Sequence, residues 1–108
     1  MPHYALGEHN RILAVLFGYP YHAPSGGSAR TNKIRWVPRD DAPGDARLTI
    51  EATLANPAQR VARVVDLGSS IVDLPQAGCW RLSLSWPGHT DRVYLDYQPR
   101  QEEVPDGT

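Results

Sequence analysis

The fold is decided by residues 72–88, which read VDLPQAGCWRLSLSWPG. Successive side chains of a β-strand point to opposite faces, so the strand within this stretch sorts its residues into two sets. The apolar set comprises Trp80, Leu82, Leu84 and Trp86, and the other set comprises Cys79, Arg81, Ser83 and Ser85. Proline and glycine mark a turn at each end. The stretch therefore predicts a half-buried strand of a β-sandwich with Trp80 in its core.

Six further segments carry strand signals. They are residues 12–17, 33–37, 47–54, 60–67, 71–74 and 92–97. The side chains expected to face the core include Leu48, Ile50, Ala52, Leu54, Val93, Leu95 and Tyr97. The continuous apolar run 12–17 favours a strand covered on both faces. With turn signals between the segments and no helical period, the chain is predicted to be all-β, a single antiparallel immunoglobulin-like β-sandwich of about seven strands.

The length of 108 residues is typical of one domain with a single core. We expect the β-sandwich domain to occupy residues 1–97. Residues 98–108 contain one large apolar residue, Val104, and are expected to form a flexible tail.

The charge balance restricts the partners that the chain can attract. Eleven Lys and Arg against twelve Asp and Glu give a formal net charge of -1, with no basic block. Nucleic acid and anionic membranes are therefore not expected partners. No apolar run approaches the ~20 residues of a membrane-spanning helix, and no signal peptide is visible. We expect an extracellular or cell-envelope location if a signal peptide is missing from this chain, and a cytoplasmic one otherwise.

Cys79 is the single cysteine, so it cannot form a disulfide within the chain. It follows Gly78 and precedes the core residue Trp80. We therefore expect a reduced, buried and unreactive thiol.

The residues at the start of the Trp80 strand form a pattern that is similar to one in a known group of proteins. Residues 75–80 have the pattern Pro-x-x-Gly-Cys-Trp, and the segment Asn32–Trp36 precedes them as a strand. This pattern resembles that of a group of uncharacterised exported β-sandwich domains, often lipoproteins, from actinobacteria and other bacteria. The similarity extends from about Leu13 to Tyr97. It implies a β-sandwich of the cell envelope or exterior and no assigned reaction.

The sequence offers no recognisable catalytic or metal-binding pattern. There is no Gly-x-Ser-x-Gly turn, no closely spaced pair of metal ligands and no phosphate-binding glycine loop. We therefore predict no enzyme activity, no catalytic residue, no metal site and no cofactor. A small metal-dependent enzyme is the least favoured alternative, and it requires His22, His89 and Asp91 to converge.

The segment 18–32 holds two prolines and three glycines and is expected to be a long loop. We predict that its residues Tyr19, Tyr21 and His22 bind a ligand, because aromatic side chains with polar tips suit recognition. The alternative is that they pin the loop to the sandwich.

The expected function is a non-catalytic binding or interaction module of the bacterial cell envelope or exterior, whose partner is an unknown protein or envelope component. The alternative is a carbohydrate-binding accessory domain of an exported enzyme. That alternative requires exposed, coplanar aromatic side chains, for which Trp36, Trp80 and Trp86 are the candidates, although core positions are favoured for Trp80 and Trp86.

Overall fold

Nine strands arranged in two sheets make up the described part of the chain. The computed structural model describes residues 3–17, 21–23, 32–55 and 58–99. The strands are β1 (His3–Leu6), β2 (Ile12–Leu16), β3 (Tyr21–Ala23), β4 (Lys33–Pro38), β5 (Arg47–Ala55), β6 (Ala58–Asp66), β7 (Ser69–Ile71), β8 (Gly78–Trp86) and β9 (His89–Pro99). The all-β class is confirmed. The expected number of about seven strands is too low, because the short strands β1 and β3 carry too few residues to show a period of two.

The smaller sheet has four strands in the order β1-β2-β4-β7, and every pairing in it is antiparallel. The larger sheet has five strands in the order β3-β9-β8-β5-β6. Its pairings are antiparallel except that β3 runs parallel to β9, with Tyr21 opposite Tyr97. The two sheets pack their apolar sides against each other around one core.

The core is built from alternate residues of the long strands. Leu48, Ile50, Ala52 and Leu54 of β5 are buried, as are Trp80, Leu82, Leu84 and Trp86 of β8 and Val93, Leu95 and Tyr97 of β9. The smaller sheet contributes Ile12, Ala14, Leu16, Ile34 and Trp36. Trp80 has no exposed surface, and its indole Nε1 donates to the carbonyl of Gln76 at 2.8 Å. The predicted inward faces of β5, β8 and β9 are confirmed.

Strands β8 and β9 pair antiparallel and are joined by the two-residue turn Pro87-Gly88. Gly88 has φ of 79°, a conformation that glycine adopts without the steric cost of a side chain.

Strand β9 continues to Pro99, past the expected domain end at residue 97. The remainder of the expected tail, residues 100–108, lies outside the described residues.

Two expectations about burial are wrong. Cys79 is exposed, because it lies on the outer side of β8, opposite the face that carries Trp80. Strand β2 is covered on one face only. Its residues Leu13 and Val15 point away from the core and stay partly exposed, so an entirely apolar strand here does not mean a strand buried on both sides.

Candidate functional site

Tyr21, one of the three residues predicted to bind a ligand, lies inside the core. It belongs to β3 and is only 1% exposed. Its hydroxyl donates to the carbonyl of Lys33, and its ring packs at a tilt against Tyr97 with 5.8 Å between centroids. Tyr97 in turn donates to the carbonyl of Val72 at 2.6 Å, and burial raises the pKa of its phenol above the ordinary range. These contacts pin β3 to the sandwich.

His22 is half-buried, and its backbone is held by the buried side chain of Asn32. The His22 N–H donates to Asn32 Oδ1 at 3.1 Å, and Asn32 Nδ2 donates to the His22 carbonyl at 2.9 Å and to Asp73 Oδ1 at 3.0 Å. Tyr19 lies outside the described residues. Ligand binding by Tyr19, Tyr21 and His22 stays a prediction, and the placement of Tyr21 favours the alternative in which the segment is pinned to the sandwich.

The tryptophans do not form a surface for stacking a sugar. Trp36, Trp80 and Trp86 are at most 5% exposed. Trp36 uses its Nε1 to donate to Ser70 Oγ at 3.0 Å, which ties β4 to β7. The described surface therefore lacks the tryptophan platform that the carbohydrate alternative requires.

The residues weighed for a metal site are spread along β9. His22 lies opposite Gln98, whereas Asp91 lies opposite Leu84. Gln98 and Asp91 are seven residue steps apart along β9, which is about 23 Å in an extended strand. Within the described ranges, no group of three or more His, Cys, Asp or Glu side chains could hold a metal ion.

Asp91 is a buried carboxylate with a structural task. Its Oδ1 accepts from the N–H groups of His9 and Arg92, and its Oδ2 from the N–H of Arg11, each at 2.8 Å. Burial raises the pKa of the carboxyl, but the three backbone hydrogen bonds lower it more, and the pKa ends below its usual 3.8. A Cβ at Gly7 would lie 2.0 Å from Oδ2, so only glycine allows this close approach. Asp91 thus fastens the β1–β2 turn to the larger sheet.

The smaller sheet turns an apolar surface to solvent. We define this apolar face by six outward side chains: Tyr4, Leu6, Leu13, Val15, Val37 and Ile71. Strand pairing aligns them in rows, since Leu6 lies opposite Leu13 and Leu13 opposite Val37. Tyr4, Leu6, Val37 and Ile71 are between 39% and 60% exposed, whereas Leu13 and Val15 are half-buried. Phe17, directly after β2, is 53% exposed as well.

Two cations lie within the apolar face, and its strands provide no carboxylate. Arg35 lies between Val15 of β2 and Ser69 of β7, and Lys33 lies opposite Ile71. None of the strands β1, β2, β4 and β7 contains Asp or Glu. In the described part of the chain, the ion pairs join Glu8 to His9 and Arg92, and Arg47 to Asp66, so Lys33 and Arg35 take part in none of them.

The outer side of the larger sheet has the opposite character, and we call it the polar face. One row across it reads Ala62, Glu51, Ser83 and Arg92, and the next reads Arg60, Thr53, Arg81 and Tyr94. A shallow groove of about 370 Å³ lies here, lined by hydroxyl groups together with Glu51 and Arg92. Arg92 is already paired with Glu8, with Nη1 and Oε2 3.5 Å apart. The groove therefore presents hydroxyl groups and charged side chains that can form hydrogen bonds with a ligand.

Sequence reasoning missed the apolar face. Its signal was present in residues 12–17, where every position is apolar, but only the pairing with β1 and β4 shows that one side of this strand points to solvent.

None of the described residues forms a helix long and apolar enough to cross a membrane. No protein-family model, curated protein or solved structure matches this chain.

Proposed function

We propose that this protein is a non-catalytic interaction module that binds another protein through the apolar face. The observation that carries the proposal is the row of apolar side chains on the outer side of the smaller sheet. Isolated apolar side chains are normal on a protein surface, but a contiguous set is typical of an interaction site. An antiparallel sheet that faces water on one side ordinarily alternates apolar and polar residues, and β2 does not.

The energetics support the same proposal. Burying a large aliphatic or aromatic side chain contributes about 1.5 to 3 kcal/mol relative to leaving it in water. Leu6, Tyr4 and Ile71 each keep at least half of their surface exposed. A partner that covers them therefore gains binding free energy that folding of this chain leaves unused.

We further propose that the sandwich is immunoglobulin-like. In that fold, the strands labelled C, F and G lie side by side in one sheet, and B pairs with E in the other. The neighbours β5, β8 and β9 fit the first group, and the antiparallel pair β4 and β7 fits the second. The parallel strand β3 and the extra strand β1 are additions to this scheme.

We also propose that the module acts in the bacterial cell envelope or exterior. The support for this location is the Pro-x-x-Gly-Cys-Trp pattern of residues 75–80 and its resemblance to exported domains. Gly78, Cys79 and Trp80 of this pattern form the start of β8, with Trp80 in the core.

The proposed function is tested by photo-crosslinking in the cells that produce the protein. A photoreactive amino acid replaces Val37 on the apolar face in one variant and Val64 on the outer side of β6 in the other. Val64 is the matched control, because it is 57% exposed but lies opposite Thr49 on the polar face. We expect a discrete protein adduct from position 37 and none from position 64. Identical adducts from both positions, or none from either, contradict the proposal.

A further inference from the structure

We propose that the apolar face binds an acidic segment, meaning a short stretch of another protein in which Asp or Glu side chains alternate with apolar ones. Arg35 and Lys33 would pair with the carboxylates, and the surrounding aliphatic and aromatic side chains would contact the rest. This inference rests on the proposed function and names the chemistry of the partner.

The position of Arg35 carries the inference. Its Cα partners are Val15 on one side and Ser69 on the other, so the Arg35 side chain starts from the middle of the sheet and not from its rim. A partner that covers the apolar face also removes Arg35 from water. A buried cation that stays unpaired costs several kcal/mol, whereas a carboxylate can accept two parallel hydrogen bonds from the guanidinium fork.

A second copy of this chain is a poor occupant for the same reason. The strands of the smaller sheet contain no carboxylate, so stacking two apolar faces would bury two copies of Arg35 and Lys33 without an anion from those strands. A lipid bilayer is also disfavoured, because hydrocarbon would have to cover the arginine at the centre of the face. An acidic segment supplies the charge that both of these occupants lack.

The size of the face favours a segment over a folded surface. Four strands about 4.8 Å apart, each with about five residues rising 3.3 Å, present about 300 Å². A stable interface between two folded proteins buries about 800 Å² on each partner. A single extended or helical stretch of a partner is therefore the better match in area.

The test uses a peptide-display library panned against three forms of the protein. The first is the wild type, the second is K33E/R35E, and the third is the matched control R60E/R81E, which reverses two cations on the polar face. We expect the wild type and the control to select peptides rich in both carboxylates and apolar side chains. The K33E/R35E variant is expected to select basic peptides instead.

The second measurement is the affinity of one selected acidic peptide for each form of the protein. We expect the affinity to fall by about 30-fold in K33E/R35E, which corresponds to about 2 kcal/mol, and to stay unchanged in R60E/R81E. The neutral variant K33Q/R35Q is measured beside it, with melting curves for every form, so that a folding defect is separated from loss of binding. A selection without carboxylate enrichment, or the same peptides from all three forms, overturns the inference.

Two further outcomes identify the other occupants. Dimerisation of the wild type that is lost on replacing Val37 by Lys points to a second copy. Binding to vesicles of anionic lipid that is lost in K33E/R35E points to a membrane surface. Either result overturns the acidic segment, and the second also contradicts the proposed function. If position 37 still yields a protein adduct while the selected peptides carry no acidic preference, the interaction module stands and only its partner chemistry is wrong.

Discussion

The two outer faces of this sandwich differ in chemistry, although both sheets supply their inner faces to the same core. The polar face mixes hydroxyl groups with charges of both signs, such as Glu51, Arg81 and Arg92. The apolar face carries aliphatic and aromatic side chains with two cations and no carboxylate from its strands. Folding requires only the inner faces to be apolar. The outer faces are therefore free to vary, and the difference between them is evidence about function and not about stability.

The sharpest contrast between inner and outer sides comes from two adjacent residues of β8. We expect Trp80→Ala to lower the free energy of unfolding by about 3 to 5 kcal/mol, because it leaves a large cavity in the core. Arg81→Ala on the outer side should change it by less than about 0.5 kcal/mol. Urea unfolding followed by circular dichroism measures both. Similar midpoints for the two variants would contradict the assignment of the faces.

The link between the sheets can be broken at Asp91. Replacing Asp91 by Ala removes the acceptor of three backbone N–H groups, and we expect a loss of about 3 kcal/mol, since each unsatisfied group costs about 1 to 3 kcal/mol and water can reach some of them. Asp96→Ala is the control, because Asp96 is an exposed carboxylate of the same strand. Hydrogen exchange should show that the β1–β2 turn opens first in the Asp91 variant. A loss as small as that of the control would contradict this.

The same carboxylate gives the stability a dependence on pH. The pKa of Asp91 is lower in the folded chain than its usual 3.8, so its contribution is complete above that value and is lost as the pH falls through the lower folded value. We expect the wild type to lose stability below about pH 4 more steeply than Asp91→Asn does. Thermal melting across pH 2 to 7 measures this slope. Parallel curves for the two proteins would contradict it.

We expect Val37→Lys and Val64→Lys to change the stability only slightly. The two substitutions should differ, however, in how much they lower the hydrophobicity of the protein surface. Both side chains are exposed, so each change should stay within about 0.5 kcal/mol. Only Val37 belongs to a contiguous apolar set, and its replacement should shorten retention on a hydrophobic-interaction column more than that of Val64. Equal shifts would mean that the outer faces do not differ in apolar character.

The smallest effect on stability is expected at Cys79, which is exposed on the outer side of β8. Cys79→Ser should leave the unfolding midpoint within about 0.5 kcal/mol of the wild type. The wild-type thiol should react with a maleimide without denaturant, because its surface is open to solvent. Labelling that requires urea would show that the thiol is protected.

The elements that sequence reasoning recovered are those with regular alternation. Strands β5, β8 and β9 show apolar residues at every second position, and this pattern fixes their inward faces without knowledge of their partners. The same alternation puts Cys79 on the side opposite Trp80, which is consistent with an exposed thiol and not with the expected buried one. An entirely apolar stretch such as Ile12–Leu16 has no such asymmetry, so its outward side emerges only from pairing.

Contacts between distant parts of the chain could not be predicted from the sequence, for a different reason. Asp91 comes shortly after a hairpin turn, and aspartate is a residue type that is common in turns. Its carboxylate, however, accepts hydrogen bonds from the N–H groups of Arg11 and His9, which lie 80 and 82 residues earlier in the chain. Tyr21 lies in a segment with the composition of a loop, whereas its partners, Lys33 and Tyr97, belong to other strands. The residues next to Asp91 or Tyr21 in the sequence do not indicate which distant residues they contact.

The parallel pairing of β3 with β9 constrains the order in which this chain can fold. Tyr21 meets Tyr97 and His22 meets Gln98, so the larger sheet gains its last strand only after nearly the whole described sequence has been synthesised. Contacts of such long range are slow to form because the intervening chain must first be brought together. Until residues 97–99 have been synthesised, β3 has no partner strand, so the larger sheet can be completed only at that point.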